Sequence, residues 1–483
     1  MYWLAWVLIG LAAAAGLIEP LVELFRAVPN DYNEGWNAFW AEAAMRGKAL
    51  YPSADSIVVN NYPPLSFFIV GALGRVLGDN VLAGRILSLA SFAAIPTFIY
   101  LWLRSTGSKR GFAIFGASVF AALLVGWAPD DIGCDDPQLL AHAVMMAGLW
   151  LVWRREFRTS DVVMGAALMV CAGFIKHLLI PLPLVMSVWI AVNAPRQLGV
   201  WILSCTVTAL VLFAAIYFSY GPDFFTNLFF ARSYSRYKAL DKVGNVVQFS
   251  WAAIVLLTAL FAQFCIPQNN RRLWRRGSFV IAYAAVAAVV GTLSAGGAGV
   301  DRNAFFDFLI ALSLSAALSL EALEFLTFRA PAWPLFRAVA IYGLSAMLAV
   351  SLIFRLAGRV TDEERKYQTL QSREADAHEA IRLIKEAGGG HAACETLSLC
   401  YWADNGFEVD FFGYGQKLAT GVLPLSSCEK VFLAPEMRLV QIDKYQGEPV
   451  SMRLPPACNE VIQAHYTVLL DSELYVLFAR RGV

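Results

Sequence analysis

The stretch Pro29-Asn30-Asp31-Tyr32-Asn33-Glu34-Gly35-Trp36 stands just beyond the first long apolar run of a 483-residue chain. Two carboxylates at the mouth of a membrane span are costly to bury and useful for chemistry. If the stretch turns helical, Asp31 and Glu34 stand at i and i+3 and share one face, so both acids address a single substrate. The competing reading makes Asp31 a helix N-cap and Glu34 a first-turn acid favoured by the helix dipole.

Around this stretch the composition excludes a soluble globular protein: 58% of residues are hydrophobic and only 16% are charged. A net charge of +1 with no basic tail leaves no footprint for nucleic acid, and none is expected as a partner. Apolar runs of membrane-spanning length recur near 2–25, 83–103, 111–128, 137–153, 161–176, 178–194, 198–219, 247–266, 278–295, 304–323 and 334–354. The first lacks a basic leader and a small-residue cleavage site, so it reads as a retained helix.

Arginine-rich connections alternate with acidic ones. Arg104 with Lys109 and Arg110, then Arg154, Arg155 and Arg158, then Arg196, then Arg271 to Arg276, then Arg329 with Arg337 fall on one side. Asp31 to Asp55, Asp130 to Asp136, and Asp301 fall on the other. The positive-inside rule then predicts about 11 spans in a plasma membrane, with the N-terminus cytoplasmic and the C-terminus outside. The run from Val162 to Val192 is long for one crossing and short for two. Its two basic flanks favour two, with Lys176-His177 at the outer turn.

Asp31 to Gly47 reads as an amphipathic juxtamembrane helix, and Tyr62-Pro63-Pro64 opens a second apolar segment ending at Gly78-Asp79. Residues 1–357 thus form a transmembrane domain. Residues 358–483 read as a small α/β domain outside the membrane, with a charged helix over Thr361 to Glu386. Strands are expected at Val431-Phe432-Leu433 and at Tyr466 to Leu470. Cys394, Cys400, Cys428 and Cys458 permit two disulfides in any of three pairings. Cys400-Tyr401-Trp402 and Phe411-Phe412-Gly413-Tyr414 suit either an aromatic sugar-facing surface or core strands.

Asp31-Tyr32-Asn33-Glu34-Gly35, the course through Gly47 and Tyr51 to Tyr62-Pro63-Pro64-Leu65, Asp136-Pro137 opening a helix, and Phe174-Ile175-Lys176 before an apolar span occur in this order. Together they resemble the GT-C fold glycosyltransferases, the polytopic superfamily that includes the aminoarabinose and protein mannosyltransferases. The chain departs from the adjacent Asp-Glu of many members, having Asn33-Glu34 with Asp displaced to 31. The resemblance implies transfer of a sugar from a polyprenyl-phosphate donor to a lipid, glycan or protein acceptor. The transfer would occur with inversion, on the outer face.

That chemistry needs a base for the acceptor and cations or hydrogen-bond donors for the departing phosphate. Asp31 is the candidate base, with Glu34 orienting the acceptor or tuning Asp31. Lys176, His177, Tyr62, Arg302 and the basic segment containing Arg232, Tyr234, Arg236 and Lys242 are the candidate substrate-binding groups. Anionic membrane lipids are the alternative ligand of that segment. The Asp130–Asp136 loop offers oxygen ligands to a divalent cation through Asp135 and Asp136, against a solvated turn in which Asp136 caps the next helix. No other cofactor is expected. The competing function is a lipid-linked sugar or polysaccharide transporter or flippase without transferase activity.

Overall fold

The computed structural model describes residues 2–264, 271–325, 333–388 and 391–482. Among these, eight helices are long and apolar enough to cross a membrane: Trp6–Glu23, Asn80–Ser105, Arg110–Trp127, Pro195–Tyr220, Arg236–Gln263, Arg271–Ala295, Arg302–Phe325 and Leu335–Gly358. Helices Gln138–Arg154, Thr159–Ile175 and Pro181–Asn193 occupy the other expected spans. The Val162–Val192 run therefore forms two helices. Lys176 breaks it with extended backbone, φ −146° and ψ 119°, and Pro181 restarts the chain as the first helical residue. Thr159 and Gln197 hydrogen-bond side chain to side chain at 3.3–3.4 Å, so the two basic flanks of the run meet at one end of the bundle.

Phe306–Phe325 is the central helix, buried along its length through Glu321. Two of its buried serines, Ser313 and Ser315, return their hydroxyls to the carbonyls of Leu309 and Leu312. At the bundle periphery the pattern inverts, and Pro195–Tyr220 exposes Leu203, Leu210 and Phe218, the surface that lipid covers.

The first loop is built by caps. Asp31 closes helix Tyr32–Met45 by accepting the Asn33 N–H at 2.8 Å, and Gly78 ends helix Leu65–Leu77 in the left-handed region at φ 83°. Asp79 then caps Asn80–Ser105 through the Val81 and Leu82 amides. One turn into that span, Arg85 is buried against Glu34. Its guanidinium meets both Glu34 oxygens at 2.7 Å and the carbonyls of Glu23, Arg26 and Val28 at 2.6–2.9 Å. All five N–H donors are used, so neither charge is left unpaired.

Helix Trp333–Gln368 runs without interruption through residue 358, and Leu370–Gly388 follows it into a small mixed sheet. Strands β1 (Ala392–Cys394), β2 (Leu439–Asp443), β3 (Tyr466–Asp471) and β4 (Tyr475–Arg480) lie in the order β1-β2-β4-β3, with only the β1–β2 pair parallel. The disulfides are Cys394–Cys400 and Cys428–Cys458. Val431-Phe432-Leu433 is not a strand. It belongs to helix Ser427–Phe432 and its cap, since a single apolar triplet satisfies one buried helical turn as readily as a strand. The Phe411 stretch is likewise helical, over Phe411–Ala419, as is Leu397–Trp402.

The sheet region sits on the first loop. A Cβ at Gly35 would overlap the backbone of Leu397 and Ser398, so only glycine lets these helices approach so closely. Lys417 reaches the carbonyls of Ala54 and Ser56 at 2.7 and 2.6 Å, and Arg373 pairs with Glu23 at 2.8 Å.

Removing one partner of a buried pair strands the other charge, at a cost of about 3–5 kcal/mol. Glu34→Gln and Arg85→Leu should each lower the thermal unfolding temperature in detergent. Glu34→Leu combined with Arg85→Leu should recover part of the loss.

Candidate functional site

A cavity of about 600 Å³ opens where the first loop, the Asp130–Asp136 turn, the Lys176 break, the 297–303 segment and the sheet region converge. Asp31, Tyr62, Lys176, His177, Arg232, Arg302 and Asp136 all line it. Residues that are distant in sequence thus meet in one place.

Asp31 and Glu34 do not share a face. Asp31 is the N-cap, with extended backbone at φ −149° and ψ 155°, so the i, i+3 rule of a helix does not govern it. Its side chain lines the cavity, whereas Glu34 is fully buried in the pair with Arg85 and stands outside the lining. Asp31 uses Oδ1 to cap the helix and is half-buried. Burial first, then Asp136 and Glu34, raise its pKa from the ordinary carboxylate value to about 6. Asp131, on the same wall, is held well above the usual range by burial, then by Asp136 and Asp31.

Asp135 and Asp136 are buried rather than solvated. Asp136 accepts the Gln138 amide at 2.8 Å, capping Gln138–Arg154, and pairs with Lys176 Nζ at 3.3 Å. Asp135 packs against Gly84, behind the lining. No group of three or more acidic, His or Cys side chains is arranged to hold a metal ion among the described residues. Of the two candidate metal-ligating acids, Asp136 is thus engaged by Lys176 and Asp135 stands outside the cavity lining.

The cations form the opposite side. Lys176 Nζ lies 3.6 Å from the centre of the Tyr62 ring. Arg232 touches the Ala298 carbonyl and the Phe230 ring, and Arg302 holds the Trp127 carbonyl at 3.0 Å. Lys242 reaches the Val300 carbonyl. None of these last three has a carboxylate at ion-pair distance among the described residues. His177 has its pKa depressed to about 3 by burial and then by Lys176 and Arg232, and its buried Nδ1 has no partner. It is a neutral ring with an unused polar atom beside these cations.

Tyr234 and Arg236 do not join them. A backbone bridge between Tyr234 and Gly297 pins their segment, with Ser235 N–H on the Gly296 carbonyl at 2.8 Å, and both side chains are exposed outside the lining. Lys242, six residues beyond Arg236 on the same helix, takes the inward place instead.

The sheet region supplies a wall that sequence reading did not foresee. Arg453 lies 3.9 Å from the Tyr32 ring centre while bonded to Glu395 at 2.8 Å. Tyr32 donates to Asp410 and accepts from the Phe412 amide, both at 3.1 Å. No local pattern marks Arg453, more than 400 residues from its partner Tyr32. Arg85 carried a signal, being an arginine inside an apolar span.

No family model and no curated protein matches the sequence. The structure matches that of ArnT from Cupriavidus metallidurans in the apo state, with a TM-score of 0.61 at 14% identity over 99% of this chain and 98% of that one. The structure of that protein bound to undecaprenyl phosphate matches with the same TM-score and identity, over 98% of each chain. At this identity the likeness concerns the fold. The chain shares the fold of that protein over nearly its whole length, and eight of its described helices are long and apolar enough to cross a membrane.

Proposed function

We propose that the protein is an inverting membrane glycosyltransferase, moving a sugar from a polyprenyl-phosphate donor to a lipid, glycan or protein acceptor. The observation that carries this reading is the make-up of one cavity: a carboxylate with its pKa raised to about 6 shares it with cations that, among the described residues, have no carboxylate at ion-pair distance. Asp31 has one oxygen engaged and the other free, the state a general base requires. It takes the acceptor proton as the acceptor attacks the sugar carbon and the bond to phosphate breaks. Arg232, Arg302, Lys242 and neutral His177 receive the phosphate as its charge grows. Lys176 and Tyr62 support that side, and Glu34, fixed by Arg85, acts on Asp31 through its charge. A donor of this class suits the fold, since a solved ArnT structure is one bound to undecaprenyl phosphate.

The cavity lies at the end of the bundle opposite the cluster of Arg276 with Glu321 and of Arg154 and Arg155 with Asp161. By the positive-inside rule that cluster is cytoplasmic and the cavity faces outward. The two disulfides of the sheet region agree with an oxidising compartment.

In an assay with polyprenyl-phosphate sugars, Asp31→Asn should lower kcat/KM by about 10²–10⁴-fold with the fold intact. Full transfer by that variant removes Asp31 as the base. Because the base must be ionised, wild-type kcat/KM should climb as pH rises and level off above about 6. Arg232→Ala should raise the donor KM by about 10–100-fold, the worth of a hydrogen bond to a charged group. Sugar-lipid translocation in proteoliposomes without any new glycosidic product would favour a transporter. A membrane-impermeant thiol reagent applied to intact cells should label Cys394, Cys400, Cys428 and Cys458 only after reduction. Labelling that requires permeabilised cells reverses the orientation.

A further inference from the structure

A second concavity, about 940 Å³, lies further along helix Tyr32–Met45, where it meets the end of Leu397–Trp402 and the loop after it. Glu42 on its wall is nine residues from Asn33 at the first cavity, about 13 Å of helix. Half-buried rings of Phe39, Tyr401, Trp402 and Phe407 line it with buried Trp40. Phe39 stacks on Phe407 at 5.2 Å and meets Tyr401 edge-on at 5.4 Å, so the rings form one surface. Cys394–Cys400 and Gly35 hold that surface against the first loop before any ligand arrives.

The polar groups here differ from those of the first cavity. Arg46 is paired with Glu42 at 2.5 Å, Asp404 with Lys385 at 2.8 Å, and Asp79 accepts the Trp402 indole N–H at 3.2 Å. Lys48 and Asp79, also on the wall, stand outside ion pairs among the described residues and are opposite in charge, so the groove offers no surplus of positive charge to a phosphate. Two neutral donors are left over. The buried Trp40 Nε1–H has no partner, and Tyr401 accepts the Asn80 amide at 3.2 Å while keeping its own proton to give. Flat rings beside uncharged hydrogen-bond donors match a sugar, which offers C–H faces and hydroxyls together.

We infer that this groove binds an uncharged saccharide portion of the acceptor, away from the hydroxyl or amine that reacts. The inference rests on the glycosyl-transfer reading, because only an acceptor that carries sugars has use for the site. Trp402 also lies 5.9 Å from the guanidinium of Arg85, so the groove wall and the buried pair behind Asp31 are one piece of structure.

The test is saturation-transfer NMR on the purified full-length protein in detergent, without donor. The probes are neutral oligosaccharides of glucose, galactose, mannose and N-acetylglucosamine, with inorganic phosphate as the anionic competitor. The expected result is transfer from the protein to at least one oligosaccharide, unaffected by phosphate. Affinity should weaken at least tenfold in Phe407→Ala and be nearly retained in Trp402→Phe. Ala49→Arg, which narrows the exposed rim without removing a ring, should abolish binding while leaving the unfolding temperature unchanged. Silence across the panel, or equal affinity in wild type and Ala49→Arg, overturns the inference. Competition by phosphate overturns it as well. Binding needs no turnover, so the two readings fail separately. A protein that binds through the groove yet transfers no sugar keeps the groove and loses the transferase. One that transfers sugar with the groove blocked, at unchanged acceptor KM, keeps the transferase and loses the groove.

Discussion

Arg85 is the fixed point of this structure. A guanidinium buried near the end of a membrane span is tolerated only when every N–H is used. Here the five hydrogen bonds go to the end of the first span, to the chain leaving it and to Glu34. Glu34 in turn accepts the backbone amides of Asn30 and Asp135. One ion pair therefore clamps the first span, the start of helix Tyr32–Met45, the span carrying Arg85 and the acidic turn. Asp31, between Asn30 and Tyr32, is placed by that clamp.

The second constraint is the close seating of the sheet region. Gly35 admits the Ser398 backbone, and Gly415 admits the Arg453 carbonyl. These two approaches bring Asp410, Phe412 and Arg453 to the cavity. A site assembled in this way belongs to neither part alone. The connections between the membrane helices provide most of the acids and cations, and the sheet region provides Asp410 and Arg453 in the wall against Tyr32. Helix Trp333–Gln368, continuous across the expected boundary at 357–358, ties the two mechanically.

Much of this was legible because membrane insertion imposes a one-dimensional code. Hydropathy and arginine placement gave spans where helices stand, including the break at Lys176. Order along the first loop pointed to Asp31 and Tyr62, and a lysine between two apolar halves pointed to Lys176; the three meet in the cavity. What failed depended on side-chain direction at single residues. Asp31 lies one residue outside its helix, so spacing to Glu34 said nothing about a shared face. A backbone bridge turned Tyr234 and Arg236 away while Arg232 and Lys242 faced inward. Contacts made across 400 residues, such as Arg453 over Tyr32, leave no periodicity to read.

The acids of the cavity are numerous, yet the structure gives them different states. Asp136 is committed to Lys176, and burial with its acidic neighbours pushes the Asp131 pKa up. Glu34 is neutralised by Arg85. Asp31 alone combines an unoccupied oxygen at the cavity wall with a pKa moved close to neutrality. A carboxylate with a pKa of about 6 suits the general-base role proposed for Asp31. Burial raises that pKa first, and the nearby Asp136 and Glu34 carboxylates add to it. The buried pairs around Asp31 are thus part of its chemistry as well as of the scaffold.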